Sequence, residues 1–254
     1  MNKFVKAVTS LDLHQVKELL QKEPGWLDWS EDSGKNALHY LCGLPLSKDS
    51  SNAKAGVPAS KPASSAGGGQ PASTAATGLQ LLKYLIKAGM DINAVHKIPD
   101  ERCGFFPATP LWYAYTRGRN EKMVAWLLAN GADPEHCMFA IAWYDDVKAA
   151  ALFKKYGAAI DDGSGGDSPF LAAFTWKKFK VMEWFLKNGA NVNFRDKEGN
   201  TALLYAVKRK YKPDLITLLL QFGADPGVEN QQGISPRKLA EMNRQKKILG
   251  LFTP

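Results

Sequence analysis

Apolar residues recur along this chain at helical spacing, in short stretches that end the same way. Met182-Glu183-Trp184-Phe185-Leu186 and Leu215-Ile216-Thr217-Leu218-Leu219-Leu220 are two such stretches. Each runs into a Gly, then a small residue, then an acid or amide. The phrase reads Gly89-Met90-Asp91-Ile92-Asn93, Gly131-Ala132-Asp133-Pro134, Gly157-Ala158-Ala159-Ile160-Asp161, Gly189-Ala190-Asn191-Val192-Asn193 and Gly223-Ala224-Asp225-Pro226. A Gly in that place predicts a helix stop, because it enters the left-handed conformation with no Cβ penalty. The successive Gly spacings are 42, 26, 32 and 34 residues.

A second phrase precedes most of these glycines by about 21 residues. It reads Asn36-Ala37-Leu38-His39, Thr109-Pro110-Leu111-Trp112, Ser168-Pro169-Phe170-Leu171, Thr201-Ala202-Leu203-Leu204 and Ser235-Pro236-Arg237-Lys238. Ser, Thr or Asn at the N-cap, often with Pro at the first helical position, predicts a helix start. The chain therefore reads as consecutive helix pairs. The two phrases together resemble the ankyrin repeat, whose period is about 33 and whose motif is T-P-L-H-x-A. The resemblance covers nearly the whole chain outside residues 46–78 and is best between Asp196 and Asn230. It implies two antiparallel helices per unit and a hairpin-like finger between units. The fold class expected is all-α, an ankyrin-type helical repeat solenoid of about seven units including both caps, forming a single domain over 1–254.

Departures from the period are informative. Cap to Gly takes 53 residues from Asn36, but 22 from Thr109, 19 from Met138, 21 from Ser168 and 22 from Thr201. The finger after Gly89 is long, and the one after Gly131 is nearly missing. Met138–Gly157 is a clipped unit without the Thr-Pro cap, so a local irregularity of the stack is expected there. Phe4, Ala7, Val16, Leu19 and Leu20 fit a starting cap, and Ser235–Phe252 a terminal one. Residues 47–78 are rich in Ser, Ala, Gly and Pro, with Val57 among their few aliphatic side chains. Such material cannot bury enough apolar area to offset ordering entropy, and a disordered insertion within the second unit is expected.

Composition narrows the function classes. The net charge is +8, and residues 138–254 hold 18 Lys/Arg against 12 Asp/Glu. A basic half suits a partner with an acidic surface. Cys42, Cys103 and Cys137 are scattered and form no CxxC pair, which fits reduced thiols and a cytoplasmic setting. No apolar run reaches membrane-spanning length, so no membrane is expected. Gly67-Gly68-Gly69 lacks the Lys-Ser/Thr of a phosphate loop, and Asp161–Asp167 lacks the alternating acids and closing Glu of a calcium loop. His136-Cys137 has no second ligand pair nearby, and His39 falls at the histidine of the motif, a structural position. No enzyme activity, cofactor or metal is expected. Nucleic acid is not expected either, because no recognition motif is present and Asp145-Asp146 break the basic track.

Binding to another protein, as a monomer, is the function the resemblance implies. The partner would meet the concave face, built from finger tips and the ends of first helices. Counting from each cap places Arg117, Trp176, Lys208 and Arg209 at helix ends, with Lys178 in a following turn. Phe105, Phe106, Lys197 and Asn200 fall on fingers. These nine are the expected partner-binding residues, Trp and Arg being favoured interface anchors. A dedicated antidote that blocks a toxin or enzyme, and a scaffold with several partners, are alternatives within the same class.

Overall fold

A computed structural model describes residues 1–45, 73–101, 104–161 and 168–252. The described residues contain fourteen α-helices in seven consecutive pairs. The chain divides into two compact units, Met1–Asp133 and Pro134–Pro254.

The first unit holds α1 (Lys3–Thr9), α2 (Leu13–Lys22), α3 (Ala37–Cys42), α4 (Ser73–Lys87), α5 (Pro110–Thr116) and α6 (Glu121–Ala129). First helices stack on first helices, α1 on α3 and α3 on α5, while α4 packs on α6. The core between the two rows is aliphatic, with Leu38, Leu41, Leu81, Leu82, Leu85, Leu111 and Leu127 fully buried. The second unit repeats the plan with α7 (Met138–Tyr144), α8 (Val147–Lys155), α9 (Pro169–Thr175), α10 (Phe179–Lys187), α11 (Ala202–Lys208), α12 (Pro213–Gln221), α13 (Pro236–Met242) and α14 (Lys246–Leu251). Here α7, α9, α11 and α13 form the inner row around buried Phe153, Phe170, Phe174 and Phe185.

Local chemistry explains why the helices begin and end where they do. The side chains of Thr109, Ser168, Thr201 and Ser235 accept hydrogen bonds from backbone N–H groups two or three residues on. Each such cap contributes about 1 kcal/mol. These caps are almost completely buried, so the polar atoms inside the stack are mostly ones that terminate helices. At Gly189, φ is 92°, and the following Ala190 N–H donates to Phe185 O at 3.0 Å, which closes α10. The amide that follows has a separate job. Asn193 donates to Gly223 O at 2.9 Å and accepts from Asp225 N–H at 2.9 Å, tying one finger to the next unit. Asn93 makes the same clamp on Gly131 and Asp133.

Two features differ from the sequence reading. The long finger after Gly89 is an antiparallel ribbon of β1 (His96–Asp100) and β2 (Gly104–Ala108), added to the helical plan. Helix α4 begins at Ser73, inside the segment 47–78 expected to be loop. Buried Gly78 lets α4 lie close to Leu11 and Met123, where a Cβ would come within 3.0 Å of the Met123 methyl. Residues 47–72 lie outside the described set. The clipped unit forms a helix pair, and the N-cap residue of α7, Cys137, makes no side-chain cap. Trp112 is buried, whereas Trp126, Trp143 and Trp184 are half-buried. They sit on helix faces that neighbouring helices cover in part.

Candidate functional site

In the second unit the ends of α9 and α11 and the finger before α11 carry the expected contact residues. Trp176 follows α9 and is 39% exposed. Its ring meets Trp143 edge-on, with centroids 4.9 Å apart, so the indole is held in place while one side stays in solvent. Lys178 lies beside the pair, its ammonium 5.9 Å from the Trp143 centroid. Arg209 follows α11, packs 4.8 Å over the Tyr205 ring and reaches Thr175 O at 3.5 Å. Lys208 beside it is exposed. Trp176, Lys178, Lys208 and Arg209 thus lie on neighbouring turns, with Arg209 linking the two.

The finger residues divide. Lys197 is exposed at the tip. Asn200 is committed internally: it accepts from Asn230 Nδ2 at 2.9 Å, and its own amide donates to Asp196 at 3.3 Å. Burial opposes ionisation of Asp196, but the Tyr205 hydroxyl at 2.6 Å and donors from Asn200 and Glu198 hold its carboxyl below the ordinary range. Asn200 therefore shapes the finger rather than presenting itself.

The acidic pair thought to break the basic track is turned to structural use. Asp145 has φ 55° and accepts the Val181 N–H at 2.9 Å, capping α10, whose own N-cap residue Lys178 offers no side-chain acceptor. Asp146 caps α8 through Ala149 N–H at 2.9 Å.

In the first unit the ribbon separates the two phenylalanines, because neighbouring strand residues point to opposite faces. Phe105 is 42% exposed, with Lys97 5.4 Å from its ring centroid. Phe106 instead packs on Trp112 at 5.3 Å and is half-buried. Arg117 is exposed at the end of α5.

One constellation was not visible in the sequence. Lys35 extends over the Tyr40 ring at 4.1 Å and lies 5.8 Å from that of Tyr113. The Tyr40 hydroxyl donates to Glu31, and Tyr113 OH meets His96 Nδ1 at 2.7 Å. Burial pushes both tyrosines up to about 12, and burial lowers Lys35 and His96 from their usual values. Its residues lie up to 82 positions apart (Glu31 to Tyr113) in the sequence, which is why spacing could not find them.

Behind it, His39 is fully buried. Its Nε2–H donates to Ala94 O and Ala108 O, each at 3.1 Å, and Nδ1 accepts from Asn36 N–H at 3.1 Å. Burial drives its pKa down to about 4. This is the structural role expected for the motif histidine: it ties the start of α3 to both ends of the long finger.

The described residues contain no cluster of three metal-ligating side chains. Cys42 and Cys137 are buried, and burial raises the Cys42 thiol. Cys103 lies outside the described residues. No helix among the described residues is long and apolar enough to cross a membrane.

Stacked helix pairs with fingers define a helical repeat protein of the kind that typically serves as a non-catalytic binding scaffold. Residues 137–230 match a family model described as ankyrin repeats (3 copies), and residues 108–138 match one described as ankyrin repeat. Residues 108–230 thus match ankyrin repeats, and the helix pairs on either side follow the same plan. The ankyrin repeat domain of human ASB11 covers 100% of the chain and 99% of its own length with a TM-score of 0.61 at 19% identity. That of Bcl-3, a member of the IkappaB family, covers 99% and 97% with a TM-score of 0.66 at 20% identity. Among curated relatives, the mouse B-cell lymphoma 3 protein homolog is 34% identical over 104 residues, 40% of this chain and 23% of that protein. Human 2-5A-dependent ribonuclease is 36% identical over 68 residues, 27% and 9%. The matches therefore span less than a quarter of either relative's length.

Proposed function

We propose that this chain binds another protein through the face formed by its finger tips and the ends of its first helices. In the second unit that face presents Trp176, Lys178, Lys197, Lys208 and Arg209; in the first it presents Phe105 and Arg117. Phe106 and Asn200 support it from behind. The observation that carries the reading is the Trp176 arrangement: a large aromatic side chain, immobilised edge-on by Trp143, remains 39% exposed between cations. A rigid, amphipathic anchor loses little conformational entropy on binding, which is why Trp and Arg dominate interface energetics. The surrounding Lys and Arg favour a partner with an acidic surface and speed its encounter. The resemblance to the repeat domain of Bcl-3 supports the fold on which this rests. Monomeric, cytoplasmic operation belongs to the same proposal.

Affinity capture with the full chain identifies the partner, and titration calorimetry then compares variants. Trp176→Ala combined with Arg209→Ala is expected to weaken binding at least about tenfold, as loss of interface anchors does. Undiminished affinity, with unchanged circular dichroism, rejects this face.

A further inference from the structure

In the Pro134–Pro254 unit the turns that join first to second helices carry a further set of cations beside Trp176, Lys178 and Arg209. At three successive turns a cation occupies the left-handed conformation: Lys177 with φ 60°, Lys210 with φ 54° and Arg244 with φ 52°. Each is exposed and is followed within three residues by another exposed cation, Lys180, Lys212 and Lys246. Among the described residues none of these six pairs with a carboxylate.

The three turns are neighbours. Tyr211 packs against both Phe174 at 5.7 Å and Phe179 at 6.0 Å, joining the first turn to the second. Gln245 donates to Val207 O at 3.4 Å, joining the third turn to α11. Stacked helices lie roughly 8–10 Å apart, so the cations recur at about that interval along one edge. The acids of the preceding turn do not neutralise this edge by pairing with it. Asp145 and Asp146 spend a carboxylate oxygen each on helix N–H groups.

The same edge carries partly exposed apolar side chains, Phe179 resting on Tyr211 with one side in solvent. Phe179 is 37% exposed and Met242, the last residue of α13, is 65% exposed. Together with Trp176 they are three of the four large exposed hydrophobics described in this unit, Tyr156 being the other.

We infer that this turn edge docks on an anionic lipid bilayer surface, cations against headgroups and Phe179 and Met242 inserted among them. A row of cations alone fits any polyanion. The exposed faces of Phe179 and Met242 gain from the headgroup–acyl boundary, which a polyanion without apolar groups does not offer. This edge adjoins the protein-binding face, Lys177 and Lys210 standing next to Trp176, Lys178 and Arg209 in the chain, but it uses other side chains: Lys177, Lys210, Arg244, Phe179 and Met242 are not in that set.

The test is vesicle co-sedimentation of the full chain with phosphatidylcholine vesicles and with mixed phosphatidylcholine–phosphatidylserine vesicles. Binding to the mixed vesicles is expected, and to the neutral ones not. Replacing Lys177, Lys210 and Arg244 together by Gly removes the charges while relieving the backbone, so the variant folds at least as stably. It is expected to lose about a hundredfold in partition, each surface cation contributing somewhat under tenfold. Phe179→Ala with Met242→Ala is expected to abolish the part of binding that survives high salt. Equal sedimentation with neutral vesicles overturns the proposal. So does binding that vanishes entirely in salt, ignores Phe179 and Met242, and is matched by polyglutamate or single-stranded DNA, which would mark a plain polyanion site. Loss of vesicle binding with protein capture intact separates this surface from the protein-binding face.

Discussion

Lowering the pH from 7.5 to 5 should loosen the first unit through one residue, His39. Its imidazole is buried and hydrogen-bonded as the neutral form, with a pKa of about 4 against 6.5 for the free side chain. The folded pKa is depressed, so the unfolded chain binds the proton first as pH falls. Stability is then complete above pH 6.5 and declines until about pH 4. The full difference of about 2.5 pKa units corresponds to roughly 3 kcal/mol at 1.36 kcal/mol per unit. By pH 5 about 2 kcal/mol of it has gone. His96 is also lowered, by burial and by Lys35, and adds in the same direction. Urea unfolding at the two pH values, for the wild type and for His39→Gln, isolates the His39 share. The variant is expected to be less stable at pH 7.5 but to lose about 2 kcal/mol less on acidification. NMR of the imidazole gives the direct reading: its shifts should hold steady from pH 7.5 to 5. Titration near 6.5 or above would refute the reasoning. It would mean that Nδ1 carries a proton to Asn36 Oδ1, 2.7 Å away, and that the buried histidine is an imidazolium.

Three further outcomes follow from the same geometry. Lys177→Gly and Lys210→Gly each remove a left-handed non-glycine residue, and each should raise the urea midpoint, by about 1 kcal/mol in stability. Asp145→Ala uncaps α10 at Val181 and should cost about 1 to 2 kcal/mol, whereas Asp145→Asn, which can both cap and adopt the left-handed turn, should cost much less in the same melt. A Cβ on Gly118 would lie 2.1 Å from Cys42 O, a backbone atom that cannot swing away, so Gly118→Ala should destabilise the first unit by about 3 kcal/mol, read by its denaturation curve.

Helix starts and stops were legible because they are local. Thr109, Ser168, Thr201 and Ser235 cap helices within three residues of themselves, and Gly189 ends one by its own backbone preference. The seven pairs could therefore be counted from the chain. The β-ribbon could not, because Pro99 and Pro107 stand within its strands and read as loop. Proline survives there because a two-stranded ribbon has an outer side, where an N–H is not needed for the ladder. The site was half legible. Trp176, Lys208 and Arg209 lie where the register puts them, exposed at helix ends. Phe106 and Asn200 are engaged with Trp112 and Asn230, contacts made across strand faces and between neighbouring fingers. The Lys35–Tyr40–Tyr113 group assembles only when α3, α5 and two fingers meet.

Hydrogen–deuterium exchange of the full chain with and without its captured partner tests the central claim most directly. The account predicts slowed exchange at the turn after α9, around Trp176–Lys178, at Lys208–Arg209 and in the finger around Lys197, with the outward backbones of α10 and α12 unchanged. Slowing confined to α10 and α12, with those turns and the finger exchanging as in the free chain, would contradict it.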